Sequence, residues 1–68
     1  MFNQDRFYEE CNVHGFTLDR VARELGINYS TLYRKIKGES DFTRSEIQNL
    51  IRLLALNASD VNSIFFAQ

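Results

Sequence analysis

Residues 17–38, TLDRVARELGINYSTLYRKIKG, decide the fold. Within them Val21, Ala22 and Leu25 lie at i, i+1 and i+4, one apolar stripe of helical period. Gly26 follows where a helix closes in the left-handed region, a conformation open to glycine because it has no Cβ. Ile27 plugs the turn, and Asn28 is a good N-cap for a second helix whose Leu32 and Ile36 share a face. Ala22 is small enough to let the two helices approach closely where they cross. The stretch predicts two short helices joined by a tight turn, the helix-turn-helix geometry.

On its N-terminal side, Thr17 supplies the cap of the motif's first helix. Phe16 and Val21 make a hydrophobic staple around that cap, and Asp19 suits the positive end of the helix. Arg20 and Arg23 lie on its polar side, where they either touch phosphate or keep the surface soluble. Before the motif, Phe7, Cys11 and His14 recur at i, i+4 and i+7 with Tyr8 beside them, which predicts a helix from about Asn3 to His14 ended by Gly15. Glu9 and Glu10 are neighbours on that helix and do not face each other, so a solvated face is favoured over a catalytic pair. The chain has one histidine and one cysteine, and a structural zinc takes about four ligands. His14 fits the negative end of the helix dipole instead, and Cys11 fits a core position.

On the C-terminal side, residues 38–42, GESDF, form a polar loop ending in an aromatic. Thr43-Arg44-Ser45-Glu46 reads as a capping box, with Phe42 and Ile47 as the matching staple. Ile47, Leu50, Ile51, Leu54 and Ala55, broadened by Leu53 and Leu56, form the widest apolar stripe in the chain. Asn57 is expected to end this fourth helix in a left-handed conformation, and Ser59 to cap a fifth from about Asp60 to Phe66. Val61, Ile64 and Phe65 fit one face of it. Phe66 is left over, with two accounts open: it folds back with Phe65 onto the first and fourth helices, or it belongs to a self-association patch.

Sixty-eight residues without proline, with three glycines and no strand-like alternation, predict one all-α domain over residues 1–68, a compact bundle of five short helices. The single cysteine excludes an internal disulfide and suits a reducing cytoplasm. No apolar run approaches the ~18–20 residues of a membrane span, and the N-terminus lacks the regions of a secretory signal, so a cytoplasmic protein is expected. No nucleophile–base set, metal cluster or phosphate loop is visible. An enzyme is therefore not expected, nor is a cofactor or metal.

The net charge of −1 argues mildly against a nucleic-acid partner, and its distribution argues the other way. Residues 1–19 carry −3 and residues 45–68 carry −1, whereas residues 20–44 hold six basic against three acidic side chains, a net +3. The basic excess coincides with the helix-turn-helix. Such asymmetry is what a DNA-facing surface needs, and it also arises on ordinary solvated faces. With Leu32 and Ile36 inward, the second helix of the motif, about Tyr29 to Lys37, is left with Tyr29, Ser30, Tyr33, Arg34 and Lys37 on its outer arc. Arg34 is suited to a bidentate pair with guanine, and Ser30 to donate or accept. Tyr29 can meet a thymine methyl or a phosphate. Lys35 and Lys37 read as phosphate contacts, which position without specifying sequence.

The pattern of Ala22, Gly26 and Leu32 is similar to the helix-turn-helix signature, and residues 4–66 resemble the small Cro/CI-type (XRE-like) phage repressors. The resemblance implies a lambda-repressor-like DNA-binding domain and a sequence-specific transcription regulator of phage or prophage origin. It also implies double-stranded DNA and a homodimer, formed at least on DNA, as partners. In that family bases are read from the start of the recognition helix and from a residue a turn and a half later, which here are Tyr29, Ser30 and Arg34. Phosphate candidates are Thr17, Asn28, Thr31, Tyr33, Lys35, Lys37 and Arg44. Two positions depart from the family pattern. Leu18 stands where a polar side chain often contacts the backbone, and Lys35 stands where the signature usually buries an apolar residue, with Ile36 displaced by one. The rotation of the recognition helix is therefore open. The run STLYRKIK also resembles the helix-turn-helix of Fis-type proteins, in which the motif closes the chain, whereas thirty residues follow it here. A second reading is a protein-binding antirepressor or adaptor that meets another repressor. The overall acidity, Leu18 and the tyrosines are compatible with it.

Overall fold

A side-chain oxygen opens each of the five helices. In the computed structural model, which describes residues 1–67, these are α1 (Gln4–Val13), α2 (Leu18–Leu25), α3 (Tyr29–Ile36), α4 (Arg44–Leu53) and α5 (Ala58–Phe65). Their N-caps are Asn3, Thr17, Asn28, Thr43 and Asn57, and each accepts a hydrogen bond from the backbone N–H three residues on, at 2.8–3.2 Å. Each cap satisfies one of the backbone donors that a helix start leaves without a partner. Among the described residues there is no strand, and no helix is long and apolar enough to cross a membrane.

Four of the five helices, α1 to α4, close through a left-handed residue. Gly26 adopts φ +72°, and the Ile27 N–H reaches back to the Ala22 carbonyl at 3.0 Å, closing α2 and turning the chain into Asn28. The end of α4 follows the same plan at Ala55, which the apolar stripe includes and which the structure leaves exposed beyond the helix. Ala55 takes the left-handed conformation at φ +50°, and the Leu56 N–H donates to the Ile51 carbonyl at 2.9 Å. The expectation for Asn57 and Ser59 is thereby corrected. Asn57 is extended at φ −91° and caps α5 in a box with Asp60, and Ser59 lies inside the helix. The reason is the spacing: Asp60 falls three residues after Asn57, and its carboxylate accepts from the Asn57 N–H at 3.1 Å.

The core is one cluster fed by every helix, with Phe7 and Cys11 from α1, Val21 and Ala22 from α2, and Leu32 and Ile36 from α3. Leu50 and Leu54 come from α4 and its end, and Ile64 and Phe65 from α5. α2 packs on both α3 and α4, while α1 pairs with α5. The chain ends are tied as well: the Asn3 N–H donates to the Ile64 carbonyl at 2.7 Å, and the Arg6 guanidinium bridges Glu10 on its own helix and Asp60 on α5. The two C-terminal phenylalanines part company. Phe65 is buried and meets Phe2 and Phe42 with ring centroids 5.6 and 6.0 Å away, whereas Phe66 is 60% exposed.

Candidate nucleic-acid interface

The motif of residues 17–38 is built as a corner closed by capping and turn hydrogen bonds. Ala22 is buried, consistent with a close crossing of α2 and α3, and half-buried Ile27 fills the space under the turn. Leu18, at the first position of α2, lies against the core with its side chain half-buried. Thr17 and Asn28 are exposed, but their side-chain oxygens already accept from Arg20 N–H at 3.2 Å and Thr31 N–H at 2.8 Å. Ser30 Oγ also donates to Asn28 Oδ1 at 3.0 Å, so the first turn of α3 holds its polar groups in fixed positions.

The rotation of α3 is set by three inward residues. Leu32, Lys35 and Ile36 are buried, and Tyr29, Ser30, Tyr33, Arg34 and Lys37 form one exposed stripe along the opposite side. These five positions fall at i, i+1, i+4, i+5 and i+8, a single face of an α-helix. Tyr29 and Tyr33 are 47% and 43% exposed, and their rings stack with centroids 6.4 Å apart. Thr31, at the margin of the stripe, is half-buried.

Lys35 is placed differently from its reading as a phosphate contact. It is 8% exposed, and Nζ donates to the Asp41 carbonyl at 2.8 Å and pairs with Glu46 Oε1 at 2.9 Å. The Phe42 ring lies beside it, with its centroid 5.9 Å from Nζ. The same Glu46 oxygen accepts the Thr43 N–H at 2.8 Å, completing the capping box of α4. Burial pushes the Glu46 carboxyl up; the Thr43 N–H, with the hydrogen bond and charge of Lys35, outweighs burial and leaves it below its usual value. One ammonium thus ties the end of α3, the 38–42 loop and the start of α4 together. Buried lysines occur when paired, and here the partner is the acid of the capping box. That link was absent from the sequence reading. The signal for it is a lysine at a signature position that is usually apolar, followed by the capping-box acid at the next helix start. Arg44, in the first turn of α4, is exposed and two residues before Glu46.

Residues 12–38, which take in α2, the turn and α3, match the model of the Fis family of bacterial regulatory proteins. This is the second of the two resemblances carried by the motif. Over 43 residues the chain is 40% identical to an HTH-type transcriptional regulator of Staphylococcus aureus strain USA300, and to those of strains NCTC 8325 / PS 47 and COL to the same degree. The matched segment is 63% of this chain and 23% of each of those proteins, so the chain spans about a quarter of the length of the curated relatives it matches. No solved structure matches the chain.

Proposed function

We propose that the chain is a sequence-specific DNA-binding transcription regulator that lays α3 in the major groove. The observation that carries the reading is the exposed stripe of Tyr29, Ser30, Tyr33, Arg34 and Lys37 on the second helix of the helix-turn-helix. In this reading Tyr29, Ser30 and Arg34 meet base edges. Thr17, Asn28, Thr31, Tyr33, Lys37 and Arg44 face phosphates, and Lys35 acts from inside by holding α4 to α3. A helix with bonding groups at its N-terminal turn and a guanidinium a turn and a half along has the layout for direct readout of a few base pairs.

A single short helix reads too little sequence to select a site, so two copies on paired half-sites about one DNA turn apart are part of the proposal. So is the Cro/CI-type arrangement, that of a phage or prophage repressor; its support is that α4 and α5 follow the motif and share its core. Selection of duplexes from a randomised pool at varied salt tests the reading. A recovered, symmetric sequence with steep salt dependence is the expected result. If no duplex is retained at low salt, the DNA reading is wrong, and the exposed tyrosines then favour a protein partner such as another repressor.

A further inference from the structure

We infer that the tyrosine pair on α3 reads the C5-methyl group of pyrimidines, so that the DNA site places thymine, or 5-methylcytosine in its stead, against Tyr29 and Tyr33. The inference rests on the groove reading of α3, moves Tyr33 from the phosphates to a base edge, and adds the ligand chemistry that this reading leaves open. The two tyrosines stand one turn apart, and their rings lie within 13° of parallel at 6.4 Å. One turn further, Lys37 holds Nζ 5.2 Å from the centroid of the Tyr33 ring. The three side chains form a ladder in which each ring is steadied by a neighbour. Nothing in the core asks for aromatic groups there, because Leu32 and Ile36 fill the inner face of α3.

A major groove offers such a ladder one kind of apolar partner. Every base edge presents hydrogen-bonding groups, and the C5-methyl of thymine is the exception; cytosine lacks it and methylated cytosine regains it. Ser30 and Arg34 lie on the same stripe as the rings and supply the polar contacts that a neighbouring purine requires. The spacing of the rings places the two methyl groups within about two base steps of each other, at about 3.4 Å per step.

The test begins with duplexes selected by the chain from a randomised pool at low salt. Each thymine of the selected site is then replaced by deoxyuridine, which deletes only the methyl, and affinities are compared. Loss of about fourfold is expected at one or two thymines, the factor that burial of roughly one methyl group corresponds to. At those positions 5-methylcytosine paired with guanine binds more tightly than cytosine by a similar factor. The double variant Tyr29→Ser, Tyr33→Ser, altered only at exposed positions, loses this discrimination and keeps its salt dependence. A selected site indifferent to every methyl, or a double variant that discriminates as before, overturns the inference and leaves the groove reading standing. A chain that retains no duplex overturns both.

Discussion

Ala55 carries the one left-handed backbone among the described non-glycine residues, at φ +50°. An L-residue there costs about 1–2 kcal/mol from the approach of Cβ to the carbonyl, and glycine would remove that cost at the expense of a more flexible unfolded chain. Ala55→Gly is expected to stabilise the protein by about 0.5–1 kcal/mol, read as a rise in Tm of about 2–8 °C. Cys11 is buried, and burial, with the nearby Glu10 carboxylate adding to it, pushes its thiol up to about 11. Alkylation at pH 8 is therefore expected to follow global opening of the fold and to become fast only in denaturant; fast labelling of the native chain would contradict the packing of α1. On the exposed stripe, the roles proposed for Arg34 and Lys37 separate specificity from attraction. Arg34→Ala is expected to weaken a selected site by about 1–3 kcal/mol and leave random duplex nearly unaffected. Lys37→Ala should weaken both alike and flatten the salt dependence by about one per copy.

Lys35 and Glu46 show which parts of these elements sequence alone could place. The capping box of α4, the glycine turn at Gly26 and the N-caps of α2 and α3 are local chemistry, decided within four residues, and all are found where the spacing put them. The rotation of α3 was a contest between Lys35 and Ile36 for the inner face. Both went inside, because Lys35 finds a carboxylate and a carbonyl there, eleven and six residues downstream. No helical period encodes such a partner. Asn57 departs from its expected left-handed role for the opposite reason: two local motifs overlap, and the box with Asp60 wins over the left-handed turn. The candidate interface follows the same division, since the outer stripe is legible from Leu32 and Ile36 whereas the burial of Lys35, expected at a phosphate, is not. The clamp has a direct test. Glu46→Gln keeps an acceptor for the Thr43 N–H but strips Lys35 of its counter-charge, and a loss of about 3 kcal/mol is expected at pH 7, as for other broken buried ion pairs. The pH dependence gives the sign. The Glu46 carboxyl sits below its usual value in the fold, so its contribution is fully present above about pH 4.3 and fades as pH falls through the lower folded value. Denaturant titrations should therefore show the gap between parent and Glu46→Gln closing below about pH 4. A gap that stays constant to pH 3 would mean that the ion pair does not hold the helices.

For the whole molecule, the question is how a chain of net charge −1 would hold the polyanion proposed as its partner. The acidic excess lies in residues 1–19 and 45–68, and part of it is spent inside the protein, where Glu10 and Asp60 share the Arg6 guanidinium and Glu46 pairs with Lys35. The side chains proposed to meet DNA are those of the motif and of the start of α4. Of the proposed phosphate contacts only Lys37 and Arg44 are cationic, the remainder being neutral donors. Each phosphate neutralised by a cation releases counterions and contributes about −0.9 to the slope of log K against log salt. One copy with two such cations gives a slope of about −2, and a pair of copies on adjacent half-sites gives about −4. The paired arrangement therefore predicts a slope near −4 on the selected site, two chains per duplex by sedimentation, and half-sites about 34–36 Å apart. In that complex Lys37→Ala should lower the slope by about two, because both copies lose the contact. A slope near −2 with one chain per duplex would rule out pairing, and recognition would then rest on a single α3.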